Sequence, residues 1–308
     1  MRAVVQKAFG GPEVLEVVET DRPAPLGAEV LIRVHASGVN PVDAAVRSGA
    51  LPLLGEPPFG VGWDVSGVVE EVGPGARFKP GDEVFGMPFF PRAATGYAEY
   101  VAVPSRQVAR KPDGLDHVQA AALPLAGLTA WQGLVDAARL EAGQRVLIHR
   151  AAGGVGHLAV QIAKARGAQV IALASEPKHA FVRSLGADEV LDYRTTDYTE
   201  AVQDVDVVFD SSSEGTRSLE VLRPGGTLVS IMEHWNRELA ARIEAAGRRF
   251  AGVSVEPDYA SLEAMAALVD SGRLLPHIAE TFPLEEAAKA HELVGSGRVQ
   301  GKVVLTIA

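Results

Sequence analysis

Up to about residue 110, short runs of β-branched residues alternate with clusters of glycine and proline, the pattern of strands cut by turns. Runs at 29–35 and 65–72 predict strands, punctuated by Pro23, Pro25, the glycines between 55 and 62, Gly73-Pro-Gly75 and Lys79-Pro-Gly-Asp82. One helix start stands out in this half. Asn40 is a capping residue, Pro41 suits the first helical position, and Gly49 closes the apolar stretch that follows.

After Leu123 short apolar runs at 145–149, 169–174, 206–210, 227–231 and 250–255 predict strands, and they alternate with amphipathic segments. Val155, Leu158, Ala159, Ile162 and Ala163 recur at the spacing of one helix face. Strands alternating with helices predict a parallel sheet covered on both sides, an α/β arrangement with right-handed crossovers. The last segment predicts helices at 258–271 and 284–294, a strand at 278–282 and a terminal strand at 302–307 that can pair back onto the first half.

A length of 308 residues is about twice that of a typical ~150-residue domain, which favours two domains. The composition, 47% hydrophobic and 22% charged, is that of a globular chain. The absence of cysteine excludes disulfides, thiolate metal sites, iron–sulfur clusters and cysteine nucleophiles, so any redox chemistry must come from a bound cofactor. A net charge of −10 argues against nucleic acid and anionic membrane as partners. The N-terminus lacks the apolar run of a secretory signal, and no stretch approaches the ~20 apolar residues of a membrane span. A soluble cytoplasmic protein is expected. The acidic pairs Glu70-Glu71 and Glu285-Glu286 read as solvated surface, and the histidines show no metal-ligand spacing, so no metal site is expected.

The run Val146-Leu-Ile-His-Arg-Ala-Ala-Gly-Gly-Val-Gly156 sets a glycine turn between a strand and a helix, as a dinucleotide-binding turn requires. Ala151 stands where the first glycine is usual. Gly153 would let the backbone approach a pyrophosphate, Gly156 would allow close packing of helix on strand, and the amides opening the helix would bind the anion. At the tip of the second strand, where an acidic residue marks NAD, the sequence has neutral Ser175 followed by Lys178 and His179. That favours NADP(H). Glu176 would favour NAD if the strand ended one residue later, and Lys178 and His179 also read as solvated residues of a helix's first turn.

Several blocks together resemble the zinc-free quinone oxidoreductase branch, zeta-crystallin-like, of the medium-chain dehydrogenase/reductase superfamily. They are Asn40-Pro-Val-Asp43, Gly62-Trp-Asp-Val-Ser-Gly-Val-Val69, Gly96-Tyr-Ala-Glu-Tyr-Val101, Leu123-Pro-Leu-Ala-Gly-Leu-Thr-Ala-Trp131, the glycine turn, Leu185-Gly-Ala-Asp-Glu-Val-Leu-Asp-Tyr193 and Gly301-Lys-Val-Val304. The resemblance implies an α/β protein in which a GroES-like β domain (1–122 and 257–308) carries an inserted Rossmann domain (123–256), with the cofactor in the cleft. In zinc-dependent relatives the positions that look like Asn40, Trp63 and Leu125 hold the catalytic metal, and none of these residues can serve it.

The implied activity is NADPH-dependent hydride transfer to a quinone or an α,β-unsaturated carbonyl, whose delocalised charge tolerates the loss of a Lewis acid. Gly153, Gly154, Val155 and Gly156 would hold the pyrophosphate, with Ser175, Lys178 and Tyr193 at the 2′-phosphate end. Asn40 and Thr129 would act at the reactive end, and Ser211 (with Ser213 beside it), Ile231 and Val253 would flank the nicotinamide. Asn40 also reads as a helix cap, Thr129 as a cap and Ser211 as a turn residue. Trp63, Met87, Phe89, Phe90 and Trp235 would make an apolar pocket or belong to the core. The tyrosine that many relatives carry after the Asn-Pro motif is missing, the stretches reading Ala44-Ala45 and Gly49-Ala-Leu51, so the proton would come from water, with Tyr97 as a weaker candidate. A dedicated enoyl or enone reductase, or a catalytically idle NADPH-binding protein, are the competing readings. A homodimer is implied, with the strand at 227–231 as a sheet edge.

Overall fold

In the computed structural model of the chain, which describes residues 1–307, the run expected as a strand at 29–35 continues to Val39. Ala308, the end of the expected first-domain range, lies outside the described residues. The chain forms two compact units, Met1–Leu128 with the segment from Glu256 onward, and Thr129–Val255.

The eleven-residue strand Glu29–Val39 organises the first unit. Along one edge it pairs antiparallel with Val65–Val72, and along the other first with Tyr100–Pro104 and then with Lys302–Thr306. These strands belong to a seven-stranded sheet that also contains Ile278–Pro283, Glu83–Gly86 and Val108–Arg110. A three-stranded sheet of Leu15–Glu19, Arg2–Gln6 and Phe59–Gly60 completes the β-rich unit. Val30, Ile32, Val34, Val65, Val69, Val303 and Leu305 are buried in one cluster, which explains why these β-branched runs pair in a fixed register. The terminal strand does return to the first half, with Val303 opposite Val39 and Thr306 opposite Ala36.

Helix Pro41–Ser48 forms where its punctuation predicts. Pro41 stands in the first turn, and Gly49 closes it in the left-handed conformation (φ 81°) that a side chain disfavours.

The second unit carries a six-stranded sheet in which every pair is parallel. Across the sheet lie Glu189–Leu191, Gln169–Leu173, Arg145–Ile148, Val205–Asp210, Leu222–Ser230 and Arg249–Gly252. The chain thus runs from the centre to one edge, returns, and fills the other side, the Rossmann order. Leu147, Ile171, Val208 and Leu228 are buried beneath the helices on its faces. Two expectations are corrected. The strand containing 227–231 is not an edge, because Arg249–Gly252 pairs alongside it and takes that place. The strand expected to reach Val255 ends at Gly252, where the backbone of His234 crosses so closely that a Cβ would lie 2.2 Å from its carbonyl oxygen. Among the described residues, no helix is long and apolar enough to cross a membrane.

Candidate functional site

Register builds a buried polar cluster in the first unit. With Val303 opposite Val39, one further step brings Lys302 opposite Asn40, and the pairing of Ala36 with Ser66 brings Asp64 beside Gly38. Gly38 makes the space, since a Cβ there would lie 2.5 Å from Asp64 Oδ2. Asn40 Nδ2 donates to Asp64 Oδ2 (2.8 Å), and Lys302 Nζ donates to Asn40 Oδ1 and to the Val39 carbonyl (3.2 Å). Lys302 Nζ also lies 3.5 Å from Asp64 Oδ2, whose partner oxygen Oδ1 accepts from Leu125 N–H (2.7 Å). Burial raises the Asp64 carboxyl above its usual range, and Lys302, Asn40 and Leu125 oppose that rise.

A second line of contacts runs from the same helix cap. Asp43 Oδ2 accepts from Asn40 N–H (2.7 Å) and from the Tyr97 hydroxyl (2.8 Å). His291 Nε2 lies 3.3 Å from that hydroxyl, and Arg47 Nη1 lies 3.4 Å from His291 Nδ1. A guanidinium can only donate, so His291 accepts at Nδ1 and donates from Nε2, and the direction runs Arg47 to His291 to Tyr97 to Asp43. Burial pushes Asp43 up to about 7, with bonds from Asn40 and Tyr97 holding it back, and pushes His291 down to about 3, helped by Arg47. Among the described residues, Asp43 Oδ1 is buried without a hydrogen-bond partner. Tyr97 is fully buried and raised well above its ordinary value by burial and by Asp43.

In the second unit the glycine turn joins Arg145–Ile148 to helix Gly156–Ala165. Ala151 N–H donates to Leu173 O (3.0 Å), tying the turn to the neighbouring strand, and Gly153 N–H is used within the turn on Arg150 O (2.8 Å). A Cβ on Gly156 would lie 2.2 Å from Arg150 O and 2.8 Å from Ala151 Cα, so only glycine lets helix and turn approach this closely. Gly153, Gly154 and Val155 are half-buried; His157 N–H already donates to Gly153 O (3.0 Å) and Leu158 N–H to Val155 O (3.2 Å), which leaves the amides of Gly154, Val155 and Gly156, among the described residues, as the donors facing the turn.

The end of the second strand carries positive charge. Ser175 is buried and leads into the turn Glu176–Lys178. Partial burial lowers the Lys178 pKa, and the charges of Arg150 and Arg194 lower it further. Asp192 fixes the two flanking loops by accepting from Glu176 N–H (3.1 Å) and Arg194 N–H (2.9 Å). Tyr193 is exposed, and the Arg194 guanidinium lies 5.7 Å from the centre of its ring. His179 Nε2 donates to Ala174 O (3.1 Å), tying its ring to the strand end.

At the point where the strand order reverses, Ser211 Oγ donates to His149 O (3.1 Å). Asp210 accepts from Ser212 N–H (2.7 Å), Ser212 Oγ (2.9 Å) and Glu214 N–H (3.0 Å), which sets the path of the loop. His149 Nδ1 lies 2.6 Å from Ser212 Oγ, and burial lowers the His149 pKa. Ile231 N–H donates to Asp210 O (3.2 Å) and Val253 N–H to Ser230 O (3.0 Å), so both line the carboxyl edge of the same sheet. Thr129 is buried within helix Pro124–Trp131, well past its first turn, so a capping role is replaced by an interior one.

The aromatic candidates differ in burial. Trp63 is buried, with Nε1 donating to Arg92 O (2.7 Å) and its ring edge-on to Phe90 at 5.1 Å, and Met87 is fully buried. Phe89 packs on the core of the first unit, with its N–H donating to Gln107 Oε1 (2.8 Å). Trp235 is 65% exposed and edge-on to His234 at 4.1 Å.

Comparison with known proteins accounts for this combination. A family model described as alcohol dehydrogenase GroES-like domain matches residues 27–113, and one described as zinc-binding dehydrogenase matches 185–305. A quinone oxidoreductase from Homo sapiens is 36% identical, with 100% of this chain and 98% of that protein covered. The chain belongs to the quinone oxidoreductase family. It is an oxidoreductase of the medium-chain dehydrogenase/reductase superfamily. The solved quinone oxidoreductase of Coxiella burnetii superposes with a TM-score of 0.91 at 38% identity, covering 100% of this chain and 99% of that one. The Escherichia coli quinone oxidoreductase, solved as a complex with NADPH, gives 0.86 at 27% identity, covering 99% of this chain and 100% of that one.

The name of the second family model implies zinc, and the residues here do not fit it. The Asn40 amide is bonded to Lys302 and Asp64, the Trp63 indole is a donor, and Leu125 offers an apolar side chain. Asp43, Asp64, Lys302 and Arg150 stand within the quoted motifs without a role of their own being legible, and Arg194 lies outside them. A faint signal existed for Asp64 and Lys302, charges at the start of runs that read as strands: Asp64 directly precedes strand Val65–Val72 and Lys302 opens strand Lys302–Thr306.

Proposed function

We propose that this family member is an NADPH-dependent, zinc-independent reductase that transfers hydride to a quinone or an α,β-unsaturated carbonyl, acting as a cytoplasmic homodimer. The observation that carries the cofactor reading is the second strand end, where buried Ser175 replaces an acid and Lys178 stands with Arg150 and Arg194. A carboxylate there would bind a ribose diol; three cations and a hydroxyl suit a dianionic 2′-phosphate.

In this reading Gly153, Gly154, Val155 and Gly156 hold the pyrophosphate, with Gly153 supplying space and the amides of Gly154, Val155 and Gly156 supplying donors. Ser175, Lys178 and Tyr193 hold the adenosine end, and Thr129, Ser211, Ile231 and Val253 flank the nicotinamide. When bound, the cofactor supplies the hydride. Asn40, from the first unit, donates an amide N–H to the oxygen of the acceptor as negative charge develops there. Ala44, Ala45, Ala50 and Leu51 offer no proton donor, and the Tyr97 hydroxyl is buried and bonded to Asp43, so water protonates the reduced product. The expected substrate aromatics are Trp63, Phe89, Phe90 and Trp235. The open edge at Arg249–Gly252 is the strand available for pairing sheets in a dimer.

The test is NADPH oxidation against small quinones, enals and enones, with and without a chelator. Chelator-insensitive turnover of one acceptor class supports the reading; loss of turnover on chelation overturns zinc independence.

A further inference from the structure

The proposed reaction uses Asn40 but leaves unexplained why an ammonium and a carboxylate are buried on either side of its amide. We propose that Lys302 is a positioning residue, fixing which way the Asn40 carboxamide faces so that nitrogen rather than oxygen is presented to the acceptor. This inference rests on the role assigned to Asn40 above.

A side-chain amide is nearly isosteric about its own axis, and an unrestrained one turns over readily. Here the oxygen accepts from Lys302 Nζ while the nitrogen donates to Asp64 Oδ2 (2.8 Å). Turning the amide over would set its NH₂ against an ammonium and its oxygen against a carboxylate. Both charged side chains are almost fully buried, 3% exposed for Lys302 and 0% for Asp64, so water cannot soften either clash. One of the two Nδ2 hydrogens faces Asp64, and the other has only the Gly38 carbonyl, at 3.5 Å, leaving it for an incoming oxygen.

Lys302 itself does not reach the substrate. Its three N–H groups have three acceptors, Asn40 Oδ1, Val39 O and Asp64 Oδ2, so it acts through Asn40. Its place is set by the ladder, with Val303 opposite Val39. The competing explanation is that Lys302 only neutralises Asp64.

The two explanations separate in an Asp64→Asn background, where no charge needs balancing. There Lys302→Gln retains an N–H donor toward Asn40, whereas Lys302→Met is apolar and of similar length; a cooperative thermal transition verifies each fold. With NADPH and the best acceptor, kcat of the Met variant is expected to fall roughly ten- to hundredfold below that of the Gln variant, with KM for NADPH unchanged. In asparagine-selective ¹⁵N spectra without cofactor, the Asn40 side-chain NH₂ is expected to give one sharp pair of resonances in the Gln variant and, in the Met variant, a pair broadened and shifted by exchange between two orientations of the carboxamide. Equal kcat in the two variants, or identical amide signals, overturns the inference. If the wild-type protein turns over no acceptor, the proposed function fails instead, and the amide spectra alone decide whether Lys302 orients Asn40.

Discussion

Lys302 Nζ and Asp64 Oδ2 lie 3.5 Å apart in the interior of the first unit, and the Asn40 amide bridges the same two groups. An ion pair taken out of water is retained at a desolvation cost, and here it surrounds the one side chain expected to donate to the acceptor. Asn40→Ala leaves the pair bonded to each other, so the fold should survive. Turnover should fall by roughly a hundredfold, in the range seen when a single charge-stabilising donor is removed. Steady-state kinetics beside a thermal melt reads both, and an unchanged kcat would remove Asn40 from the mechanism.

Asp43 makes stability depend on pH. Its pKa is raised from 3.8 to about 7 in the folded chain, chiefly by burial. Below about pH 4 it is protonated in both states and contributes no slope. Between about pH 4 and 7 the unfolded chain releases this proton and the folded chain keeps it, so stability falls as pH rises. Three units correspond to about 4 kcal/mol as an order of magnitude. Asp43→Asn should therefore match the wild type in urea unfolding near pH 4 and become progressively more stable toward pH 7. Parallel curves would show that Asp43 titrates normally.

Gly156→Ala tests the close approach of helix and turn. The added methyl would meet backbone atoms, Arg150 O at 2.2 Å and Ala151 Cα at 2.8 Å, which cannot swing aside as a side-chain end can. Forced overpacking of this kind costs about 1–3 kcal/mol. The urea midpoint should drop accordingly, and NADPH affinity should weaken because the shifted amides are those opening helix Gly156–Ala165. Unchanged stability and affinity would mean the turn relaxes freely.

Much of the architecture was legible because its determinants are local. Pro41 and Gly49 bracket their helix, and the glycine turn between two apolar runs marks the start of the parallel sheet. The polar cluster was not legible, because Lys302 reaches Asn40 across 262 positions and only strand register brings them together. Arg194 was missed for the same reason, since it joins Lys178 through a loop held by Asp192 rather than through neighbouring residues. The sheet edge was misplaced because Arg249–Gly252 is only four residues long and its pairing partner cannot be read from its own pattern. Asn40 was readable as cap or donor; it stands before helix Pro41–Ser48, and its amide turns toward Asp64 and Lys302.

The cation cluster predicts a selective loss. Lys178→Ala and Arg194→Ala should each weaken NADPH binding about tenfold or more, the scale of one charge-assisted hydrogen bond, while leaving NADH binding nearly unchanged. Fluorescence titration of both cofactors with each variant measures this. Equal losses for the two cofactors would move the 2′-phosphate site elsewhere.

The most direct measurement is the ratio of kcat/KM for NADPH over NADH with a single small quinone as acceptor, in the presence of a chelator. Turnover that survives the chelator and favours NADPH by at least about tenfold, the scale of one charged contact, is the predicted result. Equal use of both cofactors, or turnover that disappears with the chelator, would contradict the account.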